Sequence, residues 1–507
     1  MSLSRTWQKI TATDLRILLL LALLNILLHT LTNAQYGFHR DELATLEDAR
    51  YLAWGYVVYP PLTPLIARLS LTLFGPSLVA LRFFAVLVQG IAMVLTGLMA
   101  RELGGNRSAQ LSAAIAAAIA PVAFASGTMF QYVSFDHLFW VLTAYFIVRL
   151  LKSEDPRWCL AIGASIGAGM MSKYTMAFLV VGIVGGALLT PARRFLRSPW
   201  LWCGVALSLL IFLPNFLWQV HHNFISLDFL KFIHARDVRL GRTDGFLFAQ
   251  LWKCCAVVTA PLWLAGLYYL FAVPAGKRFR LIGWMYVVTL ALFFFAKGRD
   301  YYLAPAYPSL FAAGAVFAEQ WLASVTPARA GRVRRTFWWA LAVNATLLAR
   351  MVLPIAPLGS HWWFVADQLN GNFNEEIGWP EMAATVAHVR DSLPPEERAN
   401  FGILAGDAGE AGAIHLYGRA YGLPEAISGS NSNWFHGYGD LSSQTVITVG
   451  FHRDDADEIF ASCQLAGHLA NPFGIQNSAV GDYTDLFICR QPRRPWPVLW
   501  PHFHWFG

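Results

Sequence analysis

Long apolar runs recur along the first 357 residues, and they constrain the fold more than any other feature of the sequence. A bilayer core of about 30 Å needs roughly 20 apolar residues in a helix. Inside lipid, every backbone polar group must bond within the chain, so such runs are predicted to be helices. The runs fall near residues 14–33, 78–100, 107–126, 136–151, 158–172, 175–191, 200–218, 247–273, 280–296, 303–322 and 336–357. The sequence therefore predicts a polytopic α-helical membrane protein with about eleven transmembrane helices.

Two of these predictions have alternatives. The runs at 158–172 and 175–191 are short, so they are compatible with a re-entrant hairpin as well as with two spans. The first run, from Leu15 to Leu31, is longer than the apolar part of a signal peptide and has no small-residue cleavage site after it. We therefore expect it to be an uncleaved first transmembrane helix.

Charge and composition support a membrane protein. Only 14% of the residues are charged and 56% are hydrophobic, whereas about a quarter of the residues in a soluble globule are charged. The net charge of +7 does not indicate nucleic-acid binding, because the basic residues occur in short clusters between apolar runs.

The basic clusters also predict orientation. If eleven spans alternate in direction, all six basic clusters fall on the N-terminal side of the membrane. The positive-inside rule makes this side cytoplasmic. The clusters are Arg5 and Lys9; Arg101 and Arg107; Lys152 and Arg157; Arg193, Arg194 and Arg197; Lys277, Arg278 and Arg280; and Arg329, Arg332, Arg334 and Arg335. The long loop at 34–77 and everything after residue 357 then face outward.

After residue 357, charged residues return and the apolar runs shorten to strand length. Helices are predicted near 380–393, 410–418 and 453–462, and strands at 401–404, 446–449 and 485–489. This alternation predicts a soluble extracytoplasmic α/β domain over 358–507, after a transmembrane domain over 1–357. Cys463 and Cys489 lie in this domain, and both a disulfide and two buried thiols are compatible with the sequence.

Adjacent carboxylates follow the first predicted span. Asp41 and Glu42 are costly to desolvate at a membrane surface, so such residues often serve a site. The alternative is a solvated helix start with Asp41 as its N-cap and Glu42 in its first turn. Glu47, Asp48 and Arg50, one to two turns further on, are expected to form a solvated helix face.

A second acidic position and a lysine lie on the same predicted outer face. Asp136 opens the fourth span and is either a helix cap or a second active-site carboxylate. Lys173 stands between two short apolar runs, where a lysine either extends its amine to the interface or binds an anion. The positive-inside rule disfavours a lysine on this face, which favours the anionic partner.

Two further segments combine cations with polar aromatic groups. In the segment at 297–302, Lys297 and Arg299 can neutralise a phosphate while Tyr302 donates a hydrogen bond to it. The alternative is an interfacial anchor. The segment at 214–222, which ends in His222, can line a sugar pocket or cap its helix.

The sequence has no CxxC or His/Cys spacing typical of a structural metal site.

Taken together and in this order, these segments resemble glycosyltransferase family 39 of the GT-C superfamily, which includes the protein O-mannosyltransferases and the aminoarabinose–lipid A transferase. The resemblance is carried by HRDE at 39–42, YPPLTP at 59–64, FDH at 135–137, SKYT at 172–175, PNFLWQVHHNF at 214–224, GRDYYLAPAYP at 298–308, EEIGWPE at 375–381 and GEAGAIHLYG at 409–418.

The resemblance implies a GT-C-type helical domain and an inverting transfer of sugar from a polyprenyl phosphate, undecaprenyl phosphate in bacteria, to a hydroxyl outside the membrane. It implies a general base at Asp41 with Glu42 beside it, and a second acidic residue at Asp136. The lipid phosphate and sugar would be bound by the residues Lys173, Tyr174, His222, Lys297, Arg299 and Tyr302. The acceptor would be a glycan, lipid A or a protein, at the bacterial inner membrane. Some GT-C enzymes use a divalent cation, and no cage for one is evident here.

Two other classes of protein are compatible with parts of the pattern. A transporter or flippase for a lipid-linked sugar should place charges near the bilayer midplane and often contains inverted repeats. The predicted spans are almost free of charge at their centres, and no repeat is evident. A non-catalytic membrane scaffold would leave Asp41, Asp136 and Lys173 as caps and anchors. The enzyme is favoured over both.

Overall fold

The computed structural model describes residues 2–439 and 444–507, with side chains from residue 13 onward. Arg5 and Lys9 of the first basic cluster therefore lie outside the described side chains. The helices, in chain order, are α1 (Ser2–Thr32), α2 (Arg40–Arg50), α3 (Leu62–Phe74), α4 (Leu78–Glu102), α5 (Arg107–Ala118), α6 (Pro121–Ala125), α7 (Tyr132–Ser153), α8 (Trp158–Met170), α9 (Met176–Leu188), α10 (Pro199–His221), α11 (Ile225–Arg239), α12 (Phe246–Ala249), α13 (Ala260–Ala272), α14 (Arg280–Phe295), α15 (Tyr307–Ser324), α16 (Pro327–Val352), α17 (His361–Asn370), α18 (Trp379–Asp391), α19 (Pro395–Arg398), α20 (Ala408–Tyr417), α21 (Arg453–Ile459), α22 (Ser478–Asp482) and α23 (Trp496–Leu499).

The chain packs into two units. The helical unit consists of Met1–Thr32, Arg82–Phe224 and Ile233–Leu353, and the sheet unit consists of Asn33–Leu81, Ile225–Phe232 and Pro354–Gly507. The first outer loop, with its two helices α2 and α3, thus groups with the C-terminal part of the chain. The division into a catalytic domain over 1–357 and a soluble domain over 358–507 stays a prediction.

Several helices can cross a membrane, so the prediction of a multi-pass membrane protein is confirmed. Among the described residues, five helices are long and apolar enough, and the number rises to seven if each of two sharply bent helix pairs is one span. The five are Thr13–Thr32, Leu78–Glu102, Tyr132–Ser153, Pro199–His221 and Pro274–Phe295, and the bent pairs cover Met176–Arg197 and Phe246–Ala272.

The predicted count of eleven spans is not confirmed. The run at 107–126 is divided into α5 and α6, with Pro121 at the start of the second helix. The run at 303–322 begins as a 3-10 helix before α15, and α16 starts with four arginines. The apolar runs are present, but breaks and charges leave these helices short of the length and hydropathy of a single straight span.

Glycines let neighbouring helices of the helical unit pack closely. A Cβ at Gly163 of α8 would lie 2.1 Å from the carbonyl oxygen of Gly204 in α10. A Cβ at Gly314 of α15 would lie 1.8 Å from the carbonyl oxygen of Leu262 in α13. Lipid provides little hydrophobic force between helices, so this close approach of small residues is a main source of their association.

The sheet unit contains five strands, β1 (Phe401–Ala405), β2 (Ala426–Ile427), β3 (Thr445–Val449), β4 (Phe460–His468) and β5 (Asp485–Pro492). Their order is β2-β1-β3-β5-β4, with β1 parallel to β2 and β3, and β5 antiparallel to β3 and β4. The three predicted strands and three predicted helices are confirmed. The predicted helix at 453–462 extends too far, because α21 ends at Ile459 and β4 begins at Phe460. The start of β4 is hard to predict because its buried and exposed residues do not alternate regularly.

Two glycines of the GEAGAIHLYG segment bring α20 against α2. A Cβ at Gly412 would lie 2.5 Å from the carbonyl oxygen of Leu43, and one at Gly409 would lie 3.0 Å from that of Arg40. Both positions in α20 therefore require glycine for this distance of approach. The contact fixes the first turn of α2, which carries Asp41 and Glu42.

Cys463 and Cys489 face each other on β4 and β5 and form a disulfide, which resolves the alternative that the sequence left open. We expect this bond to form only if the sheet unit is exported, because the cytoplasm keeps thiols reduced. Closing a loop of 26 residues should stabilise the sheet unit by about 3 to 4 kcal/mol. Whether the disulfide forms would be measured in whole cells by labelling with a thiol-reactive polyethylene glycol, in a chain that retains only these two cysteines.

Labelling that requires prior reduction would agree with export. A matched chain that retains only the buried Cys254 and Cys255, which the structure leaves as free thiols, would control for burial, because reduction should not change its labelling. Immediate labelling of Cys463 and Cys489 in unreduced, denatured protein would contradict the prediction.

Candidate active site

Lys173 lies in the turn between α8 and α9, buried and surrounded by tyrosine rings. Its Nζ is 4.1 Å from the ring centre of Tyr302, 5.1 Å from that of Tyr132 and 5.2 Å from that of Tyr301. Aromatic faces attract a cation, and more so when water is excluded. Burial lowers the pKa of Lys173 to about 8, against the opposing attraction of Asp136. The lysine is therefore a desolvated cation, as an anion-binding group should be.

Asp136 lies in the first turns of α7 and is almost completely buried. Its carboxylate accepts hydrogen bonds from the indole N–H of Trp140 and from the hydroxyl of Thr175, both at 3.0 Å. Thr175 is two residues from Lys173, so the SKYT segment supplies both the lysine and a partner for the aspartate. Asp136 is not a simple helix cap, because no N-terminal backbone N–H of α7 bonds to its side chain.

Arg299 is held by a carboxylate that the sequence analysis did not identify. Its Nε and Nη2 donate to the two carboxylate oxygens of the buried Asp237, at 2.5 and 2.8 Å. Its Nη1 is 3.4 Å from the hydroxyl oxygen of Tyr301, a ring of the lysine cage. Asp237 is separated from Arg299 by 62 residues, and no local pattern connects the two. The structure thus brings Arg299, Tyr301, Tyr302 and Lys173 together.

Tyr174 connects the lysine turn to α10. Its hydroxyl donates to Asn215 Oδ1 at 3.2 Å and accepts from Gln219 Nε2 at 2.8 Å. Asn215 and Gln219 of the 214–222 segment therefore face this tyrosine. His222 instead stacks on Trp218 at 3.9 Å and bonds its carbonyl oxygen, and Lys297 is exposed with a positive φ of 48°.

Asp41 and Glu42 begin α2 in the sheet unit and have different surroundings. The N-cap is His39, whose Nδ1 accepts from the backbone N–H of Asp41, so the alternative that Asp41 is the cap is wrong. Glu42 is buried and accepts from the backbone N–H of His39 at 2.8 Å, completing a capping box. Asp41 is about half exposed (49%) and lies 3.7 Å from Arg40 Nε.

The expectation that Glu47, Asp48 and Arg50 form a solvated face is wrong for the two acids, which are buried. Glu47 pairs with Nδ1 of His415 at 2.5 Å, and Asp48 accepts from the hydroxyl of Tyr59 at 2.7 Å. Burial raises the pKa of Asp48 to about 7. These partners come from α20 and from the YPPLTP segment, which spacing along α2 cannot reveal. Among the described side chains, no group of three or more His, Cys, Asp or Glu could hold a metal ion.

Comparisons with known proteins identify similar folds and a matching family model. Residues 58–218 match a family model described as dolichyl-phosphate-mannose-protein mannosyltransferase. The crystal structure of ArnT from Cupriavidus metallidurans bound to undecaprenyl phosphate has 16% sequence identity and a TM-score of 0.56, over 93% of this chain and 97% of ArnT. Its apo structure has 15% identity and a TM-score of 0.60, over 94% and 98%. This chain has the GT-C fold of ArnT.

The GT-C fold extends over nearly the whole chain, so the resemblance predicted from the sequence is confirmed. The match to the mannosyltransferase family model includes Asp136, Lys173 and Tyr174 but neither Asp41 nor Arg299. Comparison with curated protein sequences found no significant match.

Proposed function

We propose that this protein transfers a sugar from a polyprenyl phosphate to a hydroxyl acceptor. The observation that carries this proposal is the buried Lys173 in its tyrosine cage, adjacent to the Arg299 group, in a chain with the fold of ArnT. A polyprenyl-phosphate sugar presents a single anionic group at the end of a lipid, and desolvated cations with phenol donors bind such a group well. The ArnT structure that holds undecaprenyl phosphate makes undecaprenyl phosphate the donor lipid that we propose here.

The residues have distinct proposed roles. Lys173 and Arg299 hold the lipid phosphate, and Tyr302 and Tyr174 orient it by hydrogen bonds. Lys297 and His222 lie further along the same segments and contact the lipid phosphate or the sugar. Asp136 holds Thr175 and offsets the charge of Lys173, because its carboxylate oxygens are already engaged by Thr175 and Trp140.

The chemical step is a displacement at the anomeric carbon. The acceptor hydroxyl oxygen forms the new bond to that carbon, while the bond from the carbon to the phosphate oxygen breaks and the phosphate leaves with the electron pair. Asp41 takes the proton of the hydroxyl, as a positioned carboxylate can do. Lys173 and Arg299 stabilise the charge that develops on the phosphate. Glu42 supports Asp41 by fixing the first turn of α2.

The proposal also covers the membrane topology of the chain and the side of the membrane on which the reaction occurs. We propose that the chain spans a bacterial inner membrane eleven times, that the basic clusters face the cytoplasm and that the sheet unit is periplasmic. The acceptor hydroxyl then belongs to a periplasmic glycan, to lipid A or to a protein.

Release of polyprenyl phosphate from radiolabelled polyprenyl-phosphate sugars tests the proposal. Purified wild-type protein in proteoliposomes, supplied with periplasmic acceptor extract, should release the lipid phosphate and move the label to an acceptor. The main rival, a flippase, would move the intact donor between leaflets without releasing phosphate. Movement of intact donor with no transfer of label would overturn the proposal.

A positioning role for Asp237 gives a further prediction. Asp237→Asn removes the charge that orients the Arg299 guanidinium, and we expect the KM for the donor to rise about tenfold, as lost charge-assisted bonds of 1.5 kcal/mol or so would give. Asp237→Glu should restore most of the donor affinity. Steady-state kinetics of phosphate release would separate KM from kcat.

Asp228→Asn is the matched control, since Asp228 is on the same helix α11 and pairs with Lys231 on the surface. We expect it to behave as wild type. An unchanged KM in Asp237→Asn would mean that the salt bridge with Arg299 serves folding alone.

A further inference from the structure

An open groove of about 890 Å³ runs along α16 in the helical unit. One wall is a stripe on α16, and the other is the turn at Val257 and Val258 before α13. The stripe begins with Arg332, Arg335 and Thr336 and continues with Trp339, Val343 and Leu347. The spacing of three or four residues places these side chains on one face of the helix.

The groove is polar at one end and mainly apolar along the rest, where Asn344 is a polar lining residue. Trp339, Val343 and Leu347 are all more than half exposed, at 71%, 55% and 56%, so a large apolar surface has no protein cover. From Trp339 to Leu347 the helix rises about 12 Å, close to the roughly 15 Å of one hydrocarbon leaflet. A tryptophan next to arginines is typical of the interface between the lipid headgroups and the hydrocarbon.

The two arginines at the polar end differ from their neighbours on the same helix. Arg334 forms a salt bridge with Glu319, and Arg329 lies over the ring of Trp321. Among the described side chains, neither Arg332 nor Arg335 has a salt-bridge partner, and Arg335 donates only a 3.4 Å hydrogen bond to the carbonyl oxygen of Gly331. Two guanidinium groups at adjacent turns, with Thr336 beside them, form a suitable site for a phosphate.

We propose that this groove binds an anionic phospholipid, with its phosphate at Arg332 and Arg335 and one acyl chain along Trp339, Val343 and Leu347. The arginines belong to the basic cluster predicted to face the cytoplasm, where anionic lipids concentrate. The apolar stretch from Trp339 to Leu347 rises about 12 Å, less than one leaflet, and fits part of an acyl chain.

The proposal is tested by lipid retention in native mass spectrometry. Purified full-length protein would be exchanged into dioleoyl-phosphatidylglycerol or dioleoyl-phosphatidylcholine, which share acyl chains and differ in charge. Wild type should retain one more phosphatidylglycerol than Arg332→Gln/Arg335→Gln. The affinity of this variant for phosphatidylglycerol should fall about tenfold or more, since each arginine near an anionic surface strengthens binding by roughly fivefold. Phosphatidylcholine should be retained equally weakly by both.

Two further variants keep the test specific. Arg193→Gln/Arg197→Gln removes the same charge from another cluster of the predicted cytoplasmic side and should retain phosphatidylglycerol as wild type does. Ala340→Trp fills the groove and leaves both arginines, and it should lose the lipid.

Three outcomes would overturn the proposal. The first is equal retention of phosphatidylglycerol by wild type and Arg332→Gln/Arg335→Gln. The second is equal loss in the Arg193→Gln/Arg197→Gln control, which would indicate bulk charge attraction. The third is retention of added undecaprenyl phosphate but not of phosphatidylglycerol, which would make the groove a site for the donor lipid.

Discussion

Replacing Asp41 by asparagine is expected to lower the rate of polyprenyl-phosphate release by about a hundredfold to ten-thousandfold, the usual contribution of a general base. The amide keeps the size of the side chain and removes its ability to take the acceptor proton. Asp41 is well suited to this role, because its side chain is about half exposed at the start of α2, while the neighbouring acids Glu42, Glu47 and Asp48 are buried. The rate would be measured with radiolabelled donor in proteoliposomes.

Glu42→Gln is the control that separates catalysis from helix capping. A glutamine oxygen can still accept from the backbone N–H of His39, so the capping box remains and activity should stay within a few-fold of wild type. Asp41→Glu should recover part of the lost rate, since the carboxylate is retained. If Asp41→Asn, folded and inserted, released lipid phosphate at the wild-type rate, another group would be the base while transfer itself would stand.

Replacing Lys173 by methionine is expected to lower phosphate release by about a hundredfold to a thousandfold. Methionine has a similar length and packs against the tyrosine rings, but it cannot offset the charge of the departing phosphate, which is a loss comparable to removing one oxyanion donor. Lys173 and Arg299 act on the same phosphate. A variant with both residues replaced should therefore lose less activity than the product of the two single losses.

The pH dependence follows from the pKa of Lys173, which burial lowers to about 8. The protonated amine is the form that binds phosphate, so kcat/KM should fall as pH rises through about 8. A bound phosphate favours that protonated form, so the fall in kcat should occur at a higher pH than the fall in kcat/KM. In Lys173→Met this alkaline limb should be absent.

Lys231→Met is the matched control for the lysine, because Lys231 is exposed and pairs with Asp228 on the surface. We expect it to keep wild-type activity and the same alkaline limb. A Lys173→Met variant with normal rate and an unchanged limb would exclude Lys173 from the donor site.

The sequence alone predicted the membrane class, the resemblance to GT-C glycosyltransferases and most elements of the small sheet. These depend on composition and on short periodic patterns, such as the apolar runs of Leu78–Glu102 and Pro199–His221 and the apolar strand Thr445–Val449. Its count of eleven spans is not confirmed by the described helices, because hydropathy does not reveal where a helix breaks. The break before Pro121 and the 3-10 start at Asp300 depend on backbone geometry as well as composition.

What the sequence by itself determined is the set of candidate site residues: Asp41, Asp136, Lys173 and the Arg299 segment were singled out from residue type, position and the family resemblance. Only the tertiary structure decided their environments. It supplied Asp237 to Arg299 from 62 residues away, placed three tyrosine rings around Lys173 and buried Glu47 against His415. The physical reason is that partners of a charged group are brought together by packing between distant segments, whereas local spacing along the chain specifies only which residues share a helix face.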